Sequence, residues 1–262
     1  MARDKKLVIA NWKMNLGVHE ASLYLHKLEK AVKVHRDVEV VLAPTMLALQ
    51  TLSLQVNFRQ FKLAAQNFYW RDHGTFTGEV SATQLRGIVS YALVGHSERR
   101  HVFHETDKDT RAKVQAAIRN GIRPILCVGE TASERADNET KEVLHDQLVG
   151  GLANITSEEI EQVVIAYEPV WAISNGHNDR HATPQDVAEA ARVIRNQLKH
   201  LFGAKAASEV QVIYGGSVNA DDAAGFLAIE EIDGVLPGSA SLDVEAFSSI
   251  VEKAYASGKK EK

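Results

Sequence analysis

Glu168 stands directly before Pro169 in the run Tyr-Glu-Pro-Val-Trp-Ala-Ile, where a carboxylate is well placed to move protons. Proline has no N–H and biases the residue before it towards an extended backbone, so this carboxylate is held at a strand end instead of entering a helix. His96 follows Gly95 in Val-Gly-His-Ser-Glu-Arg-Arg, a sharp turn running into a helix start. Free backbone N–H groups there disfavour an imidazolium. His96 therefore reads either as a neutral hydrogen-bond donor to a substrate carbonyl or as a helix cap or buried structural histidine. Asn11 and Lys13 lie two residues apart after an apolar run and can point to the same side of an extended segment. Lys13 is either a solvated charge or a group that holds a phosphorylated anion or steadies a developing oxyanion.

Two small-residue loops, Tyr-Gly-Gly-Ser at 214–217 and Leu-Pro-Gly-Ser at 236–239, let backbone N–H groups approach an anion. The apolar stretch Val170, Trp171, Ala172 and Ile173, followed by Ser174, Asn175 and Gly176, has the composition of a water-excluding lid, or of a tryptophan packed on a rim.

Each of these groups follows a short apolar run. Eight such runs occur, at residues 7–10, 38–43, 63–65, 91–94, 124–128, 163–167, 210–214 and 232–236. They are continuous rather than alternating, as strands covered on both faces are. Residues 19–34, 184–201 and 244–256 carry helical periodicity between runs, and Thr183 before Pro184 is an N-cap with proline at the first helical position. Strict alternation over residues 1–262 predicts one α/β domain, an eight-stranded parallel β/α barrel with residues 257–262 as a solvated tail. The alternative, an open doubly wound sheet, lacks its glycine-rich turn after the first run. In a barrel, chemistry sits where strands end, and anions bind after the last two.

A formal charge of -4 gives no reason to expect nucleic acid or an acidic membrane as partner, so any anion site is local. The lone cysteine, Cys127, excludes an intramolecular disulfide and a cysteine metal cluster, and the apolar run ending at Asn11 is too short for a signal segment or membrane span. A cytoplasmic protein is expected, and no histidine-carboxylate spacing predicts a metal site.

Taken in order, Asn-Trp-Lys-Met-Asn, Gly-His-Ser-Glu-Arg-Arg, Tyr-Glu-Pro-Val-Trp-Ala-Ile and Tyr-Gly-Gly-Ser-Val resemble the triosephosphate isomerase family over residues 6–255. The resemblance implies a glycolytic and gluconeogenic enzyme that interconverts dihydroxyacetone phosphate and D-glyceraldehyde 3-phosphate without cofactor or metal. It implies Glu168 as base, neutral His96 as electrophile, and Asn11 and Lys13 as stabilisers of the enediolate, the pairing for which the family is the standard example. By the same resemblance Glu98 supports Asn11 and Lys13, and backbone N–H groups of Ser174, Ser217, Gly238 and Ser239 hold the phosphate. It also implies a homodimer formed through the loop from Phe68 to Glu79, with Thr77 supporting the partner's Asn11 and Lys13, and Glu79 pairing with Arg99. Its aromatic residues would form an apolar patch if exposed, or the loop folds onto its own barrel.

The chain departs from the family pattern at Ser174 and Ser239, where glycine is usual, and in the lid exit at residues 175–183, three residues longer than usual. His177 and Arg180 there read as a solvated insertion. Two rivals remain: an aldolase-like lyase using Lys13 as a Schiff-base nucleophile, and a phosphate-binding scaffold without turnover.

Overall fold

A computed structural model describes residues 5–173 and 181–258. The expected site residue Ser174, the hinge residues His177 and Arg180, and the end of the tail lie outside the described residues.

Eight strands form where the apolar runs predict them. They are β1 (Lys6–Asn11), β2 (Val38–Ala43), β3 (Phe61–Ala65), β4 (Tyr91–Val94), β5 (Arg123–Val128), β6 (Val164–Tyr167), β7 (Gln211–Tyr214) and β8 (Gly234–Val235). All neighbours pair in parallel, and β8 returns to β1 through Leu7 opposite Gly234 and Val8 opposite Val235. Alternate residues of each strand divide the core in two. Leu7, Ile9, Val41, Leu93, Ile125, Val164 and Ile213 fill the barrel, whereas Val8, Ala10, Val40, Leu42, Leu126, Ile165 and Val212 pack outwards against helices. Both side-chain sets are buried, which is why the runs show no polar alternation.

Several boundaries differ from the sequence expectation. The last run yields only a two-residue strand, because Ile232 turns back to bond Ile229 and Asp233 is committed to Val212 and to Arg195. The first expected helix spans Val18–Ala31, ending at an extended Val32. The helix expected to end at 201 runs Pro184–Glu209 with a break at Gly203, whose φ of 84° a side chain disfavours. Its start is as expected: Thr183 Oγ1 accepts from Asp186 N–H, while Asp186 Oδ2 accepts from Thr183 N–H at 2.8 Å. The last helix, Val244–Gly258, lies against β1 and β2. No helix among the described residues is long and apolar enough to cross a membrane.

Barrel closure rests on a close approach. A Cβ added at Gly234 would lie 1.9 Å from the Leu7 carbonyl oxygen, so only glycine lets β8 meet β1 in this register. Gly234→Ala is expected to destabilise the fold by about 3 kcal/mol or more, read as a lower urea midpoint. An unchanged midpoint would show that the seam can relax.

Candidate active site

Parallel strands bring every C-terminal end to one rim, and most of the sequence-predicted residues meet there. Asn11, Lys13, His96, Ser217, Gly238 and Ser239 line one cavity of about 360 Å³, together with Ile173, His181, Gly215 and Gly216. The backbone of Lys13 is held at φ 50°, an uncommon conformation for a non-glycine residue. Three bonds fix that segment: Lys13 N–H donates to Asn11 Oδ1 at 3.0 Å, and Gln66 Nε2 donates to the carbonyls of Lys13 and Ala43, each at 2.8 Å. The ammonium of Lys13 stands 2.7 Å from Glu98 Oε1, a bridge at the cavity's edge that is partly open to solvent.

His96 caps the short helix Ser97–His101. Its Nδ1 accepts from Glu98 N–H at 3.3 Å, the arrangement of the tautomer that carries its proton on Nε2. The cap reading of His96 is met through Nδ1, and its Nε2 is turned towards Asn11 and Glu168. Asn11 Nδ2 lies 3.3 Å from that Nε2. With Asn11 Oδ1 already bonded to Lys13, two N–H donors face one another. An acceptor oxygen lying against both would relieve the conflict.

Glu168 is buried and stands beside this cavity instead of lining it. Its Oε2 accepts from Ser97 N–H at 3.0 Å; its Oε1 has no hydrogen-bond partner, with His96 Nε2 3.4 Å away. A buried acceptor without a partner costs about 1–3 kcal/mol, so half of this carboxylate is satisfied and half is not. The walls around it are fitted closely. A Cβ on Gly215 would approach Glu168 Cγ to 2.9 Å, and one on Gly129 would lie 1.9 Å from the Glu168 carbonyl oxygen. Burial, then the Glu168 charge, pushes the Cys127 thiol well above its ordinary value, so it stays neutral.

The chain after Glu168 is pinned by a second carboxylate. Glu130, fully buried, accepts from Tyr167 Oη at 3.1 Å, from Trp171 Nε1 at 2.8 Å and from Arg135 at 3.2 Å. Arg135 stacks over the Trp171 ring at 4.3 Å and pairs with Asp186 at the start of the helix beyond the loop. Burial, then Glu130, raises the Tyr167 hydroxyl well above its usual value, keeping it a donor. Trp171 is therefore packed down on the rim in this structure, within a 3₁₀ turn over Val170–Ala172. The N–H of Ser217 donates to Ala172 O at 3.1 Å, so this expected anion donor is engaged with the same turn.

A third buried carboxylate, Glu105, accepts from Gly95 N–H at 3.2 Å, Arg99 at 2.7 Å and Lys113 at 2.6 Å, while Lys113 also reaches Asn67 at 2.7 Å. It ties the loops after β3 and β4 together beneath His96. Sequence reading missed Ser97, Glu130 and Glu105, whose roles depend on contacts between separate loops. Only the position of Ser97 beside His96 hinted at involvement.

A family model for triosephosphate isomerase matches residues 6–254. The chain belongs to the triosephosphate isomerase family. The triosephosphate isomerase of Caldanaerobacter subterraneus subsp. tengcongensis is 41% identical over 94% of this chain and 98% of its own length. Those of Chloroherpeton thalassium and Carboxydothermus hydrogenoformans are each 42% identical over 95% of this chain, covering 99% and 98% of their lengths. Membership fits the barrel and the order of the groups around its mouth.

In this isomerase, Glu105 yields a prediction with a defined sign. Burial works to raise its carboxyl, but Lys113 and Arg99 outweigh burial and hold it below the ordinary value. A depressed carboxyl contributes stability that is present above its unfolded value, near 4.3, and is lost as pH falls through the folded one. Glu105→Gln leaves Lys113 buried beside a neutral partner and should cost about 3–5 kcal/mol at pH 7. Urea midpoints of wild type and variant should converge as pH falls below 4. A gap that persists unchanged in acid would contradict the electrostatic origin.

Proposed function

We propose that the chain interconverts dihydroxyacetone phosphate and D-glyceraldehyde 3-phosphate by proton transfer through an enediolate, as a step of glycolysis and gluconeogenesis. The observation that carries this reading is the buried Glu168 carboxylate 3.4 Å from a histidine whose Nδ1 accepts a backbone N–H. Glu168 takes the proton from the carbon next to the carbonyl. The C–H pair becomes the new C–C double bond, and charge moves onto the carbonyl oxygen. That oxygen would sit against His96 Nε2–H and Asn11 Nδ2, which lie 3.3 Å apart, and accept from both, with Lys13 as the nearby cation. Glu168 then returns the proton to the adjacent carbon, while His96 moves protons between the two oxygens. The bare Oε1 favours this assignment, since rotating off Ser97 towards a substrate costs the carboxylate one hydrogen bond and relieves an unsatisfied one.

Gly238 and Ser239 are the proposed phosphate contacts, together with Ser217, whose N–H would exchange Ala172 O for the phosphate, and Ser174, which lies outside the described residues. The short 3₁₀ helix beginning at Ser239 presents its first N–H groups as a helix N-terminus does. Glu98 is assigned to holding Lys13. Neither metal nor organic cofactor enters the scheme. The lyase alternative requires Lys13 as nucleophile, but its nitrogen is held 2.7 Å from Glu98 Oε1. A lone cysteine, buried and unpaired, supports a reducing, cytoplasmic setting.

Glu168→Gln should lower turnover roughly a thousandfold in a coupled assay with glyceraldehyde 3-phosphate, while phosphate-analogue binding persists. Near-wild-type turnover would exclude Glu168 as the base. Borohydride with substrate should leave no adduct on Lys13.

The same reading includes a homodimer. Met14, Leu47, Phe76, Val102 and Phe103 are exposed apolar side chains from the segments after β1, β2, β3 and β4, which neighbour one another around the rim. The loop from Phe68 to Glu79 contributes less apolar surface than its sequence suggests. Phe68 is buried, and Tyr69 stacks between Trp70 and Phe76 at 4.1 and 4.5 Å. Sedimentation should give twice the 28.8 kDa chain mass for the wild type and a monomer for Leu47→Glu. A monomeric wild type would refute the dimer.

A further inference from the structure

The cavity is poor in positive charge for the ligand assigned to it. Among the described residues that line it, Lys13 is the one lysine or arginine, and Glu98 sits 2.7 Å from its ammonium. A phosphate monoester carries about 1.5–2 negative charges near neutral pH, and an enediolate would add another. Backbone N–H groups supply partial charge only.

His181 is the further titratable group in the wall. It is exposed, stands just before buried Ala182 and the Thr183 cap, and shares the cavity surface with Ser217 and Asn219. Charged groups of several elements lie near it. Asp222, in the turn after β7, interacts with it electrostatically, and Asp221 and Lys253 act on that same carboxylate. Burial raises Asp222, while Asn219 and His181 pull it down. Lys13 and His96 belong to the same cavity, and Asp186, paired with Arg135, begins the helix that follows. His181 thus has a negative neighbour on one side and the anion cavity on the other.

We propose that His181 is a binding residue for the phosphate end of the substrate, its imidazolium adding a second and pH-dependent cation to the cavity. The inference rests on the functional reading above for the identity of the ligand, and on the cavity alone for the site. Nothing in it requires His181 to touch the reacting carbons. Its effect therefore falls on affinity, and its size is that of a solvent-accessible charge contact, about two- to fivefold.

Sulfate is the probe, because it stays a dianion between pH 5.5 and 9 whereas the substrate phosphate titrates with a pKa of about 6. Sulfate affinity should be measured by calorimetry on the full chain across that range, for wild type, His181→Gln and His181→Lys. Wild type should bind sulfate more weakly as pH rises and imidazoles lose their protons. His181→Gln should bind about two- to fivefold more weakly than wild type at pH 5.5 and lose most of the pH dependence. His181→Lys should bind tightly throughout. In steady-state kinetics the Gln variant should raise KM more than it lowers kcat. An unaltered pH dependence in His181→Gln, or a fall in kcat with KM unmoved, would overturn the proposal, the latter marking a structural role at the loop's exit. A chain that turned over no triose phosphate would refute the functional reading, and the sulfate titration would still decide the role of His181.

Discussion

The site depends on one geometric constraint, the closure of eight parallel strands into a ring. Parallel pairing sends all C-terminal ends to the same rim, and closure brings the first and last loops together. Asn11 N–H donates to Pro237 O at 3.1 Å, so the end of β1 is hydrogen-bonded to the segment that follows β8. The seam tolerates no side chain at Gly234, and the Gly238–Ser239 loop meets Lys13 just beyond it. Shape at the mouth is thus inherited from packing deep in the barrel.

Three buried carboxylates near the rim divide stabilisation from chemistry. Glu130 is surrounded by donors from Tyr167, Trp171 and Arg135, and Glu105 by Lys113, Arg99 and a backbone N–H. Both anchor loops, because a buried charge with complete partners is costly to disturb. Glu168 is different, with one oxygen held by Ser97 and the other bare. Among the three it loses least by moving. The carboxylate proposed as the base is the one whose surroundings leave it half free.

The cavity shows the same economy. Backbone torsion at Lys13, the tautomer of His96 and the orientation of Asn11 are each set by a hydrogen bond to a backbone N–H or carbonyl. Such partners cannot change rotamer, so the polar groups are positioned before any ligand arrives.

The sequence by itself determined the architecture and brought Asn11, Lys13, His96, Ser217, Gly238 and Ser239 to the mouth. Continuous apolar runs at regular spacing are a local property, and a residue that follows a strand in a parallel barrel has little choice of where to go. Pro169 announced that Glu168 ends a strand, and Thr183 with Asp186 announced the next helix. Boundaries that depended on neighbours were read less well: β8 shrank because its flanking residues are bonded elsewhere, and the helix after Pro184 restarted beyond Gly203. Only the tertiary structure decided which N–H holds Glu168, that His96 caps its helix while Nε2 turns to Asn11 and Glu168, that Trp171 is held by Glu130 and Arg135, and that His181 lines the cavity. These are contacts between residues tens of positions apart, with energies set by burial and distance, and no local pattern in the chain encodes either.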